Sequence, residues 1–349
     1  MRLRLALLAG ALAVAPGAQA RSVSPACAAV AAYSDAHRGR AVLILKDGRP
    51  VCEVYAAGTT ADDAHPLYSG TKSFAGAMAV LAAQDGLLDL DEPVSATLAE
   101  WRDGTDRQKV TIRHLLSLSS GIESVVGRPP EYARAVELRP VATPGTRFAY
   151  GPAPFQIFGE VMRRKLTARG MQADPAAWLV QRLLTPAGIR VGQWRRTPDG
   201  NPLLPQGLAL TAQNWARFGE WVRRDGVIDG KPSLAPQRLA AFHQPSPAFP
   251  GYGLSWWLPA KLQALAPDRT PRAVGRLDFA AAGTLPDDLL MAAGAGDQRL
   301  YVSKRLGITI VRLAQLSLAD ASAARAAGEG WSDGAFLRLA FQTVQPATE

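Results

Sequence analysis

The chain has 349 residues, 48% of them hydrophobic and 20% charged, and a formal net charge of +9. That is the composition of a folded globular protein with room for one large domain or two lobes, and it excludes a disordered or fibrous chain. The arginines are scattered apart from short pairs such as Arg163-Arg164 and Arg223-Arg224, so the basic balance reads as a solvated surface and not as a nucleic-acid-binding arm.

Residues 1–20 read as a secretory signal. Arg2 and Arg4 form the positive end, Leu5 to Val14 a short apolar run, and Ala18-Gln19-Ala20 a cleavage site. The run is too short to span a bilayer, and no later segment is apolar enough to do so. The expectation is a periplasmic or secreted protein that starts near Arg21, with no stable membrane span after cleavage. Losing Arg2 and Arg4 takes the charge from +9 to +7.

Residues 26–37 fit a helix after Ser24-Pro25, and "AVLILKDGRPVCEVYA" fits a hairpin turning at Asp47-Gly48. From Ser69 to Asp85 the pattern is helical, with Phe74, Ala77, Met78 and Leu81 on one face and Gly86 as the stop. Thr111 caps a short helix that ends before Gly121. Further helices fit 153–167, 175–184 (capped by Asp174, with Pro175 at its first position) and 212–224 (capped by Thr211). After about residue 250, "YGLSWWL", "MAAGAGDQRLYVS" and "GITIVRLAQ" have strand character, and "LADASAARAAGEG" reads as a surface connection. "DGAFLRLAFQTV" closes the chain as a helix. Strands at both ends with helices between them predict an α+β fold. One antiparallel sheet is made from both chain ends and covered by the terminal helices, beside a helical lobe over about 86–248.

The stretch "LYSGTKSFAG" carries the chemistry. Ser69 sits where an extended segment enters an apolar helix, whose free N–H groups favour developing negative charge. One turn brings i and i+3 onto one face, so the Lys72 amine reaches the Ser69 hydroxyl. A serine is a poor nucleophile without a base, and a lysine serves as one once its pKa is lowered. A lone S-x-x-K is a weak signal, equally read as a helix cap beside a surface charge. His37, His65, His114 and His243 lack a G-x-S-x-G elbow to serve, so a histidine triad is disfavoured. Cys27 and Cys52 form no metal-ligand cluster; they are a candidate disulfide in an oxidising compartment, or two buried thiols. Trp256 and Trp257 are candidates for a substrate-cleft wall, equally read as one core and one surface residue of a single strand, whose neighbours alternate faces.

Two further stretches join "SGTKSF" and "IRHLLSLSSGIES": "ATPGTRFAYGPAPFQIFGEVM" and "MAAGAGDQRLYVSKRLGITIVRL". In this order they resemble the serine β-lactamase/penicillin-binding-protein superfamily, in its class C β-lactamase-related branch of esterases, D-aminopeptidases and 6-aminohexanoate-dimer hydrolases. The resemblance covers nearly the whole mature chain, as a single hydrolase domain over 21–349. It implies a β-lactamase/transpeptidase-like fold and a reaction needing neither metal nor cofactor. Ser69 matches the acylated serine, Lys72 the S-x-x-K lysine and Tyr150 the tyrosine of Y-x-N. Gly294, in Ala292-Ala293-Gly294, matches the glycine of K-T-G, and the Ala295 N–H then pairs with that of Ser69 as an oxyanion hole. Gln298 belongs to a Gly-rich, Gln-containing final strand region like that of the aminohexanoate-dimer hydrolases, where Asp297 is unusual.

The sequence departs from the pattern at two substrate-binding positions. Pro152 stands where Y-x-N has its Asn, and Ala292 where K-T-G has its Lys, with Arg299 and Arg312 nearby as stand-ins of unknown direction. Together these features predict an exported hydrolase of small-molecule esters or amides, disfavoured as a β-lactamase. Two alternatives remain: a catalytically weak binding or sensor domain of the same fold, and a penicillin-binding DD-peptidase.

Overall fold

Asp47 and Gly48 both take up left-handed backbone, at φ 50° and 79°. This is the twist a two-residue hairpin turn requires, and it joins β1 (Gly39–Lys46) to β2 (Arg49–Tyr55). The computed structural model describes residues 23–123, 125–265, 277–317, 319 and 330–344. The expected signal segment lies outside these residues, as does nearly all of the connection over 318–330.

Three strands from the other end of the chain, β8 (Leu290–Gly294), β9 (Gln298–Ser303) and β10 (Ile308–Ala314), complete a five-stranded sheet in the order β2-β1-β10-β9-β8. All its neighbours run antiparallel, with Ile44 opposite both Cys52 and Ile310. The expected sheet sewn from both chain ends is therefore present. Short pairs lie elsewhere: β3 (His65–Pro66) and β4 (Gln193–Trp194) flank β5 (Leu208–Leu210), and β6 (Val227–Ile228) pairs with β7 (Lys231–Pro232).

Alternation along the strands decides what covers each face. Leu300, Val302 and Thr309 abut Gly219 of helix α7 (Ala212–Arg223). Arg299 and Tyr301 turn to Asp333 of the C-terminal helix (Asp333–Gln342), and Arg312 turns to Ser34 of α1 (Pro25–Ala36). Helix α7, which falls inside the stretch read as a helical lobe, thus lies on the sheet. Within that stretch α3 (Ile112–Leu116), α4 (Tyr132–Glu137) and α6 (Pro175–Leu179) pack on α5 (Ala153–Ala168), while α1 packs on the C-terminal helix. Cys27 of α1 and Cys52 of β2 are bonded, with their Cα atoms 5.3 Å apart.

Two expectations need correction. Helix α2 (Lys72–Gln84) has no solvent face, because every residue from Lys72 to Ala82 is buried. The apolar stripe of Phe74, Ala77, Met78 and Leu81 continues around the helix through alanines, as it does in a central helix. Second, "YGLSWWL" is not a strand. Gly253 N–H bonds the Trp256 carbonyl, Ser255 N–H bonds the Leu116 carbonyl, and Ser255 has φ 67°. The chain therefore loops, and Trp257 alone adds to the sheet edge through a two-way bridge to Met291.

Candidate active site

Ser69 lies in a 3-10 turn, Tyr68–Thr71, that runs straight into α2. The turn is fixed from several sides. Leu67 N–H donates to the Leu208 carbonyl at 2.8 Å, Leu208 N–H donates to the Thr71 hydroxyl at 3.2 Å, and the Ser73 hydroxyl donates to the Gly70 carbonyl at 2.8 Å. Tyr68 has φ 47°, a left-handed conformation that non-glycine residues adopt at a cost. The chain thereby bends sharply just before the serine.

Lys72 is 3% exposed. Its amine lies 3.0 Å from the Ser69 hydroxyl oxygen and donates to the Pro205 carbonyl at 3.2 Å. The rings of Tyr150 and Phe155 lie 5.0 and 5.4 Å from it. Among the described residues no carboxylate forms an ion pair with it. Burial therefore acts unopposed and pulls its pKa down to about 7. Tyr150 hydrogen-bonds the same serine, and burial pushes its phenol up to about 12 against the pull of that bond and of the Arg299 charge. Its ring stacks on Trp257 at 5.3 Å.

The opposite wall is the end of β8. An added Cβ at Gly294 would lie 2.0 Å from the Leu67 carbonyl oxygen, so only glycine lets this strand approach the serine turn so closely. Ser69, Tyr150, Gly294 and Ala295 line one cavity of about 360 Å³, together with Val126, Trp257, Leu277, Ala293, Gly296, Asp297 and Arg299. A larger cavity of about 730 Å³, against α4 and α5, contains none of the predicted site residues and is walled by ion-paired groups such as Glu160, Arg163 and Arg164.

Three of the expected substrate contacts do not line this cavity. Ala292 lies opposite Leu300, on the α7 face of the sheet, and is buried; its neighbour Ala293 faces the cavity instead. Pro152 caps the start of α5, and its carbonyl accepts from the Phe155 and Gln156 N–H groups. Gln298 is fully buried, and its amide is spent on backbone: it donates to the carbonyls of Ala295, Gly296 and Ala314 and accepts from Ala314 N–H.

The histidines do other work. His114 completes a capping box with Thr111, the His37 ring meets the Tyr33 carbonyl at 2.8 Å, and neither His65 nor His243 lines the cavity. Neither candidate stand-in cation is free. Arg299 grips Asp333, and Arg312 is bound to Ser34 and His37. Sequence reasoning missed the Pro205 carbonyl and the Arg299–Asp333 pair. The only signal for the second was Arg299's place directly opposite Ala293 once β8 and β9 are paired.

Residues 27–328 match the family model described as Beta-lactamase. The chain belongs to the Beta-lactamase family. The fold agrees with this: the chain is similar to a class C β-lactamase from Rhodobacter sphaeroides, at 17% identity and a TM-score of 0.63, covering 92% of this chain and 99% of that one. It is also similar to EstCE1, a hydrolase with promiscuous acyltransferase activity, at 16% identity and a TM-score of 0.66, covering 93% and 98%. It is similar as well to a putative 6-aminohexanoate-dimer hydrolase from Bacillus anthracis, at 18% identity and a TM-score of 0.63, covering 85% and 79%. No curated protein matches the sequence.

Proposed function

We propose that this protein is an exported serine hydrolase that cleaves an ester or amide through an acyl-enzyme on Ser69. The observation that carries this reading is the buried Lys72 amine, 3.0 Å from the serine oxygen and without a carboxylate partner among the described residues. A lysine near pKa 7 is about half neutral at pH 7, so it holds a lone pair for the serine proton. The phenol at about 12 keeps its proton and donates. That division makes Lys72 the first base and Tyr150 the donor, although the two groups titrate as a coupled pair.

Ser69 Oγ attacks the substrate carbonyl and its proton passes to the Lys72 amine. The N–H groups of Ser69 and Ala295 hold the oxyanion. Collapse breaks the bond to the leaving alcohol or amine, which takes a proton from Tyr150; Tyr150 regains one from Lys72. Water then adds to the acyl carbonyl and gives a proton to Lys72; collapse breaks the bond to Ser69 Oγ, which takes that proton back, and the acid leaves. The apolar wall of Val126, Trp257 and Leu277 suits an uncharged acyl group. Fluorophosphonate labelling tests the reading, with labelled penicillin in parallel. Wild-type protein should react with the first and Ser69→Ala with neither; a Ser69→Ala protein that still labels and turns over ester overturns it.

A further inference from the structure

The β8–β9 connection is held by an unusual number of side-chain donors. Arg299 Nη1 donates to the Gly294 carbonyl at 3.2 Å and to the Gln298 carbonyl at 3.1 Å. Gln298 Nε2 reaches the carbonyls of Ala295 and Gly296, both at 3.3 Å. Three consecutive carbonyls, of residues 294, 295 and 296, are thus tied down by two neighbouring side chains. Arg299 is itself locked. Its Nε and Nη2 grip the Asp333 carboxylate at 2.6 and 3.2 Å, Nη2 lies 3.4 Å from Asp297, and the Tyr301 hydroxyl donates to Asp333. Arg299 is 3% exposed and Asp333 fully buried.

The Gly294 carbonyl and the Ala295 N–H belong to one peptide unit. In a planar trans peptide the two bonds point in opposite directions. A guanidinium holding the carbonyl on one side therefore aims the N–H to the other, and a cation on the carbonyl oxygen polarises the amide into a stronger donor. We infer that Arg299, clamped by Asp333, which Tyr301 in turn holds, is a positioning residue that sets the 294–295 peptide so that the Ala295 N–H serves as the second oxyanion donor. The C-terminal helix, which supplies Asp333, thereby becomes part of the catalytic apparatus without touching substrate. The inference rests on the reading of Ser69 and Ala295 given above.

The test compares wild-type enzyme with R299K, R299M and R299M/D333N. The double variant removes both members of the pair and strands no buried carboxylate, so it is the one designed to fold. Each is assayed with p-nitrophenyl butyrate, with its carboxylate-bearing counterpart mono-p-nitrophenyl glutarate, and with an alkyl boronate, whose tetrahedral serine adduct places an oxygen where the oxyanion forms. Thermal unfolding is followed alongside. Losing one oxyanion donor outright costs about 100- to 1,000-fold in kcat, so a loosened one should cost about 10- to 100-fold, with KM changed by less than about threefold. The boronate inhibition constant should rise by the same factor as kcat falls. R299K keeps a cation but cannot hold two carboxylate oxygens and the Gly294 carbonyl together, and should lose about 10-fold. A folded R299M/D333N or R299K with wild-type kcat overturns the assignment. So does a loss confined to KM for carboxylate-bearing substrates, which would make Arg299 a substrate cation. These failures differ from failure of the acyl-enzyme reading, in which Ser69→Ala would stay active.

Discussion

Replacing Lys72 by methionine should make the protein a worse enzyme and a more stable one, by an amount that depends on pH. The side chain is buried and its pKa falls from 10.5 to about 7, so in the unfolded chain it binds a proton more tightly than in the folded one. Between these values the unfolded state holds more protons, and stability rises with pH. At pH 6 the cost of the buried amine is nearly whole: 10.5 less 7 is a shift of about 3.5, or about 5 kcal/mol at about 1.4 kcal/mol per pKa unit. At pH 9 the folded amine is neutral and only the unfolded chain gains from protonation, which leaves about 2 kcal/mol. Methionine fills the space without charge and loses the bonds to Ser69 and Pro205, so its net effect is smaller at any one pH. The change in the gap between variant and wild type survives that subtraction. The methionine protein's stability advantage should shrink by roughly 2–3 kcal/mol from pH 6 to pH 9. Urea unfolding of both proteins at the two values measures it. Ester turnover should fall at least about 100-fold in the variant, and wild-type kcat/KM should rise through pH 7 as Lys72 loses its proton. A gap that stays constant across this range would mean that Lys72 keeps its ordinary basicity, and the account of it as the base would fail.

Tyr150→Phe should lower kcat for an anilide more than for a nitrophenyl ester, by about 10-fold or more, because the poorer leaving group needs the phenol's proton; equal losses on the two substrates would count against the donor role. Gly294→Ala puts a methyl group against the Leu67 carbonyl and should displace the serine turn, lowering turnover by about 100-fold while the far-UV spectrum is kept. Because Arg299 is committed to Asp333 and Arg312 to Ser34 and His37, neither replaces the K-T-G lysine as a partner for a substrate carboxylate, and p-nitrophenyl butyrate should exceed nitrocefin in kcat/KM by about 10- to 150-fold; parity would identify a β-lactamase. Breaking the Cys27–Cys52 bond by Cys→Ser at both positions should cost about 3 kcal/mol for a loop of this length, and the unfolded, unreduced wild-type protein should show no titratable thiol.

Much of this was legible from residue order alone. Asp47-Gly48 marks a hairpin turn, Thr111, Asp174 and Thr211 are legible as caps and bond their helices' N–H groups, and strands at the two ends of the chain imply a sheet between them. Ser69 and Lys72 were readable because helical spacing is short-range. The roles of Ala292 and Gln298 were harder to read, since a strand's two faces are assigned only once its neighbour is known. One residue's difference separates Ala293 in the cavity from Ala292 in the core. The loop through "YGLSWWL" was hidden for a similar reason. Its course is set by the Leu116 carbonyl, far away in sequence, and the alternating apolar residues carry no trace of it. Pro205 contributes only a backbone oxygen, which no residue type announces.

The sheet's construction also bears on how the chain is made. β1 and β2 appear early in synthesis, and the Cys27–Cys52 pair closes a separation of only 25 residues. The partner of β1, however, is β10, and Arg312 meets Ser34 across 278 residues while Ser332 meets Tyr33 across 299. Contacts of such separation slow folding, because the loop must close before they stabilise anything. Until the last segment leaves the ribosome, the hairpin presents an open edge of unpaired N–H and C=O groups, a template for aggregation. A ribosome-stalled chain lacking the residues from 290 onward should therefore remain protease-sensitive and chaperone-bound, with the serine and its lysine already synthesised but no wall for them to face.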